Sequence, residues 1–207
     1  YRLQLGPDLT FAQASERLPY LDDLGVTDLY LSPILQAAPG STHGYDVVDH
    51  TRISSALGGR EAFEAFADAA HARGMGVIVD IVPNHMGVPT PLSSNRALWS
   101  VLAQGPDSPY AAWFDGTDGD DEGILMPMLG ARIGTVLANG ELTVDHRVVP
   151  GFEDAGPQPV LVYFDHVFPI RAGTETLPLD QLVKAQFYRL AYWKVADEEL
   201  NFRRFFD

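Results

Sequence analysis

Apolar and polar positions over residues 1–86 follow two periods in turn, and each change of period marks a new element. Residues 1–5, Y-R-L-Q-L, alternate as a short strand. Thr10 with Gln13 is a capping-box signal, after which Phe11, Ala14, Leu18, Leu21 and Leu24 recur at helical spacing. Pro19 falls within that pattern, so a kink or two short helices are expected. Gly25 closes the element, residues 27–31 read as a second strand, and Ser32-Pro33 breaks it. After Gly58-Gly59, the positions Phe63, Phe66, Ala67 and Ala70 mark one apolar face of a helix over 60–73, with Gly74 as its C-terminal cap. Residues 75–82 follow as a third strand, which gives the order β-α-β-loop-α-β.

The run M-G-V-I-V-D-I-V-P-N-H at 75–85 carries the most chemistry. It is continuous, apolar and rich in β-branched residues between Gly74 and Pro83, the pattern of a strand buried on both faces as in parallel sheets. One carboxylate, Asp80, interrupts it, and Asn84 and His85 follow the break. Polar groups are thus delivered to the carboxyl end of a strand, where α/β folds collect their chemistry. A buried carboxylate needs a partner, since leaving it unpaired costs several kcal/mol. A structural ion pair would satisfy Asp80 as well as a functional contact would, and His85 and Asn84 are each common as ordinary hydrogen-bonding and turn residues.

From residue 87 the rhythm is lost for about 90 residues of Pro, Gly and short apolar runs such as 160–164. Loops of that length without structure of their own are uncommon, so an inserted lobe of small strands and short helices is expected. Periodicity returns near residue 179, where F-Y-R-L-A-Y-W-K-V reads as a strand and D-E-E-L-N-F-R-R-F-F as a helix. The expected organisation is 1–86 as strand and helix units, 87–178 as the inserted lobe, and 179–207 as a return segment. Within the lobe, Asp118, Asp120, Glu122 and Gly123 match the first half of a calcium-binding loop. Leu129 stands at the twelfth position, where a bidentate Glu is needed, so a solvated acidic turn is expected instead.

Composition narrows the partners. The chain has 207 residues and 46% hydrophobic content, enough to bury a core. Its net charge of −14 disfavours nucleic acid and anionic membranes and suits a neutral substrate. No apolar stretch approaches the roughly 20 residues of a membrane span, and no signal peptide is visible. The sequence opens on Tyr1 and not on a methionine, which leaves the native N-terminus open. Without cysteine there are no disulfides or thiolate metal sites, and a cytoplasmic setting is expected. Gly6-Pro7-Asp8 follows the first strand where a dinucleotide fold would place G-x-G-x-x-G, so no nucleotide cofactor is expected.

A second polar cluster, G-S-T-H-G-Y-D-V-V-D at 40–49, follows the second strand at the same rim as His85. His43 offers a hydrogen-bonding edge and Tyr45 a flat apolar face. A sugar asks for both, because its C–H faces pack on aromatic rings while its hydroxyls need directed partners. By itself the string also fits a glycine turn with a half-buried tyrosine.

D-I-V-P-N-H at 80–85 resembles the first signature region of the α-amylase superfamily of retaining glycosidases and transglycosidases. Y-R-L-Q-L at 1–5, L-Y-L-S-P-I-L at 29–35, the 40–49 string, and Y-R-L-A-Y-W-K-V with N-F-R-R-F-F-D near the end are similar to the maltooligosyltrehalose synthase branch of that superfamily. The likeness runs over nearly the whole chain and is weakest over 87–177. It implies an α/β fold: the incomplete N-terminal part of a (β/α)8 TIM barrel, its first three βα units, with a lobe inserted after the third strand. It further implies that Tyr45 is the aromatic platform under the sugar in the reacting subsite, with His43 as its polar neighbour. His85 would hydrogen-bond the sugar's primary hydroxyl, Asn84 would orient the loop, and Asp80 would support the catalytic arginine and nucleophile. Calcium-dependent members use the Asn84 position as a metal ligand, but no partner ligands can be identified in this lobe and no metal is carried over.

Retaining transfer needs a nucleophilic and an acid/base carboxylate about 5–5.5 Å apart. In the family these lie on strands four and five, the nucleophile in a Gly-x-Arg-x-Asp string that this sequence lacks. Three strands also fall short of the eight that close a barrel of about 250 residues. The resemblance therefore implies that the catalytic carboxylates belong to sequence beyond this chain. The implied reaction, in trehalose biosynthesis, turns the reducing-end α-1,4 linkage of a maltooligosaccharide or glycogen-derived substrate into an α,α-1,1 linkage by retaining intramolecular transglycosylation. Two other readings stay open: an α-amylase-like glucan hydrolase, and a non-catalytic sugar-binding fragment whose partner is the remainder of its own barrel. Trp99, Tyr110 and Trp113 are candidate walls of the cleft, although packing is the commoner role for such aromatics.

Overall fold

Local capping starts the first helix where the sequence places it. The structure, a computed structural model, describes residues 1–114 and 123–194, and it divides into two units, Tyr1–Pro89 and Thr90–Asp207. In the first unit, β1 (Arg2–Leu3) leads to α1 (Phe11–Ser15), which opens on a complete capping box between Thr10 and Gln13. Pro19 sits in the first turn of a separate helix, α2 (Leu18–Asp23), where its missing N–H has no intrahelical partner to lose. β2 (Asp28–Leu31), β3 (Leu35–Ala37) and β4 (Val47–Ile53) follow, then α3 (Gly59–His71) and β5 (Gly76–Val79). β1, β2 and β5 form a parallel sheet in that order, the strand–helix–strand logic the apolar periods predict. Phe11, Ala14, Leu18, Leu29, Leu31, Phe66 and Ala70 are buried between this sheet and the helices. The Phe11 ring meets the edge of Phe63 at 5.4 Å. Burying each large apolar side chain contributes about 1.5–3 kcal/mol.

Two expectations are corrected. The loop read between the Ser32-Pro33 break and Gly58-Gly59 contains an antiparallel hairpin of β3 and β4. Its register shifts twice and Asp49, His50, Thr51 and Arg52 interrupt its apolar pattern, so no clean alternation announces it. The third strand, expected to be buried on both faces, is shorter and open on one: Ile78 is 54% exposed. Among the described residues β5 pairs only with β2, and only Val77 and Val79 turn toward the core.

The sheet register does more than build a core. Arg2 aligns with Tyr30 and Tyr30 with Ile78, so these three stand on the face opposite Leu3, Leu29, Leu31 and Val79. Asp80 lies two residues beyond Ile78 and continues that row.

The second unit contains α4 (Arg96–Gln104), β6 (Ile124–Leu129), α5 (Ile133–Ala138), β7 (Leu142–Val148), β8 (Pro157–Tyr163), β9 (His166–Pro169), α6 (Leu179–Leu182) and β10 (Tyr188–Tyr192). β7, β8 and β9 form an antiparallel sheet, and β10 pairs in parallel with β6. Asn95 caps α4, its side chain accepting the Leu98 N–H at 3.0 Å. The apolar run at 160–164 is the buried end of β8 as far as Tyr163, with Phe164 left exposed at φ 50° in the turn to β9. The acidic turn at 115–122 and the helix expected over 197–206 lie outside the described residues.

Candidate functional site

The 40–46 turn, which carries His43 and Tyr45, joins β3 to β4 and is held by short-range bonds. Gly44 adopts φ +80°, and a Cβ there would stand 2.8 Å from the Pro33 carbonyl oxygen, so a side chain forces the turn to move. The Ser41 hydroxyl accepts the Gly44 N–H at 3.1 Å and donates to Asp46. The Tyr45 N–H donates to His43 Nδ1 at 3.0 Å. That bond requires Nδ1 to be unprotonated, so the 3.8 Å approach of Nδ1 to Asp46 is proximity and not a charged pair. The two rings lie 6.1 Å apart at 29°, and Tyr45 is 37% exposed.

Asp80 is where the strand and the turn meet. Its amide donates to the Leu31 carbonyl at 3.0 Å, and its Oδ2 accepts the Tyr45 hydroxyl at 2.5 Å. Tyr30, from β2, faces the same carboxylate, and hydrogen bonding to Asp80, with partial desolvation and the negative charge adding to it, holds the Tyr30 phenol above its ordinary pKa. The Arg2 guanidinium, 5.8 Å from the centre of the Tyr30 ring, opposes that shift and places Nη2 3.5 Å from the Tyr45 Oη. Asp80 is half-buried and engaged by phenols, where the sequence suggested a structural ion pair as one partner.

His85 completes the group. Its Nε2–H donates to the Tyr45 carbonyl at 3.3 Å. The segment that bears it is tied to β4 by the His50 Nε2–H on the Val82 carbonyl at 2.9 Å and by the Gly87 N–H on the Val47 carbonyl at 2.7 Å. Gly87 approaches so closely that a Cβ would lie 2.9 Å from the Asp46 carbonyl oxygen.

His43, Tyr45, Asp80 and His85 are therefore brought together, with Asn84 exposed beside His85. Sequence reasoning missed Arg2, Tyr30, Ser41 and His50. The signal for Tyr30 was present in the alternation D-L-Y-L, which turns Leu29 and Leu31 inward and leaves an aromatic on the other face. In the second unit Trp99 is core, while Tyr110 and Trp113 meet edge to face at 5.0 Å. Among the described residues no three His, Asp or Glu side chains gather as metal ligands, and no helix is long and apolar enough to cross a membrane.

The chemistry this cluster can perform is binding and orientation. It offers an aromatic face with imidazole edges, while the carboxylates beside Tyr45, Asp46 and Asp80, already accept hydroxyl protons from Ser41 and Tyr45. A retaining displacement needs a pair of carboxylates that can reach one anomeric carbon.

Residues 11–132 match the model of the α-amylase catalytic domain. A Mycobacterium tuberculosis (strain ATCC 25618 / H37Rv) protein bearing the name maltooligosyl trehalose synthase is 46% identical over 172 residues, 76% of this chain and 22% of that protein. The structure of maltooligosyltrehalose synthase from Arthrobacter ramosus aligns over 95% of this chain and 24% of its own, at 41% identity and a TM-score of 0.79. A second maltooligosyl trehalose synthase crystal structure aligns over 94% of this chain and 25% of its own, at 39% identity and a TM-score of 0.80. The chain spans about a quarter of the length of these relatives.

Proposed function

This chain belongs to the α-amylase family, and from that premise we propose that it is one part of a longer enzyme that isomerises the reducing-end α-1,4 linkage of a maltooligosaccharide to an α,α-1,1 linkage. The first unit then supplies the first three strands of a (β/α)8 barrel, β1, β2 and β5, with the helices between them, while residues 87–178 are a lobe inserted after the third strand and 179–207 a return segment. The reading rests on one observation: Asp80 and His85 converge on Tyr45, at 2.5 Å from its hydroxyl and 3.3 Å from its carbonyl.

On this reading each group has a task. The Tyr45 ring offers its face to the C–H side of a glucose unit. His43 spends Nδ1 on the Tyr45 amide and keeps Nε2–H to donate to a sugar oxygen. His85 uses Nε2–H on the Tyr45 carbonyl and keeps Nδ1 to accept a hydrogen bond from a hydroxyl, such as the primary hydroxyl of the sugar. The two imidazoles thus present opposite hydrogen-bonding characters to one ligand. Asp80 contributes negative charge near a transition state of oxocarbenium character, and the carboxylates that break and remake the bond come from the rest of the enzyme.

The test is product analysis of the full-length protein with maltopentaose. Reducing ends should disappear without a matching release of glucose. Net gain of reducing ends would instead favour an α-amylase-like hydrolase, and absence of any glucan turnover would refute both enzyme readings.

A further inference from the structure

We propose that Arg2 is a positioning residue for the Tyr45 platform, its guanidinium holding the Tyr45 phenol oxygen from one side while Tyr45 donates its proton to Asp80 on the other. Three neighbouring strands set the row that meets the Tyr45 turn: the register places Arg2 of β1 beside Tyr30 of β2, and Asp80 follows β5 on the same face. Nη2 of Arg2 stands 3.5 Å from the Tyr45 Oη, and the guanidinium carbon 5.8 Å from the centre of the Tyr30 ring.

The proton order in this chain of contacts is unambiguous. Arginine has donors and no acceptor, and an ionised carboxylate has acceptors and no donor. A phenol between them has one proton, which must point to Asp80, and lone pairs, which must face Arg2. The far end of the Tyr45 ring is thereby held from both sides, which sets where the platform lies beneath a sugar. At 3.5 Å the Arg2 contact is long, so the guanidinium acts chiefly through its charge and tightens when a bound ligand excludes water. Tyr30 supplies the shelf: its ring takes the cation from below and its hydroxyl meets the same carboxylate. Arg2 is exposed, so its stem contributes little to the core and its effect on rate is separable from its effect on folding.

This inference rests on the sugar-binding reading above, and the test separates the two. In the full-length enzyme Arg2→Met should lower kcat about tenfold while KM changes by less than about threefold and the unfolding temperature is unaltered. Arg2→Lys, which restores the charge over Tyr30, should recover most of that loss. In a Tyr45→Phe background, Arg2→Met should have little further effect, because the oxygen it holds is gone. Arg2→Met within about twofold of wild type, equal loss in Arg2→Lys with a matching fall in unfolding temperature, or the same loss in both backgrounds would each overturn the proposal. The ratios are taken on whichever glucan reaction wild type performs, so a hydrolytic wild type refutes the isomerase and leaves Arg2 testable. If wild type turns over no glucan, NMR of Tyr30 decides: Arg2→Met should move its ionisation to higher pH, because the cation over the ring favours phenolate, and an unmoved Tyr30 would refute the contact.

Discussion

Replacing Gly44 by alanine tests whether the turn geometry, and not merely the residue types within it, makes the site. Two costs add. A residue with a Cβ at φ +80° loses about 1–2 kcal/mol relative to glycine. The new Cβ would also stand 2.8 Å from the Pro33 carbonyl oxygen and 3.4 Å from the Pro33 Cβ. Ser32, Pro33 and Ile34 are buried, so the turn has to move and not its neighbour. A displacement of a few tenths of an ångström passes directly to Tyr45, the next residue, and lengthens its 2.5 Å bond to Asp80. If about 1.4 kcal/mol of the sum reaches the transition state, kcat/KM of the full-length enzyme on maltopentaose falls about tenfold. Gly40→Ala is the control, since Gly40 shares φ +80° but has nothing within 4 Å of a Cβ. Comparing kcat/KM and unfolding temperature for the two variants isolates the close approach from the backbone penalty. Equal effects would show that the contact with Pro33 carries no weight, and wild-type activity in Gly44→Ala would refute the argument altogether.

Three further outcomes are expected. Tyr45→Phe keeps the platform face and removes the oxygen that meets both Asp80 and Arg2, costing about 1.5 kcal/mol in kcat/KM, whereas Tyr45→Ala removes the face as well and costs up to about 3 kcal/mol; steady-state kinetics that rank the two in reverse would count against a stacking role. In Asp80→Asn the Tyr30 phenol should ionise at lower pH than in wild type, because the carboxylate that favours its neutral form has gone; carbon NMR of labelled tyrosine reads this directly, and no movement would remove the Tyr30 contact. Tyr188, 3% exposed, donates its hydroxyl to the Pro169 carbonyl at 2.8 Å, and burial pushes its phenol far above the ordinary range. Its folded pKa exceeds the unfolded value of about 10, so its contribution is complete below pH 10 and is lost as pH rises from there toward the folded value. Tyr188→Phe should begin about 1–3 kcal/mol less stable, from the unpaired carbonyl, and then lose less than wild type as pH rises above about 10. Parallel alkaline unfolding curves for the two proteins would contradict the burial argument.

What the amino-acid sequence determined by itself was whatever rests on neighbours within a few residues. The Thr10–Gln13 capping box, the break at Pro19, the helix before Gly74 and the polar residues that end the third strand are of that kind, because caps, proline geometry and apolar periods act within a turn or two. His43, Tyr45, Asp80 and His85 were legible as candidates because a carboxylate in an apolar run and a glycine-flanked tyrosine are locally unusual. Only the tertiary structure decided what those groups touch. The hairpin of β3 and β4 was hidden by its two register shifts, and it is this hairpin that carries Tyr45 across to Asp80, 35 positions away. The exposure of Ile78 depended on which strands pair, since an apolar run reads alike at the centre and at the edge of a sheet. Only the register of three strands sets Arg2 and Tyr30 in one row with Asp80. Register is a long-range quantity: a slip of one residue would turn that row to the opposite face, and nothing within a single strand records the choice.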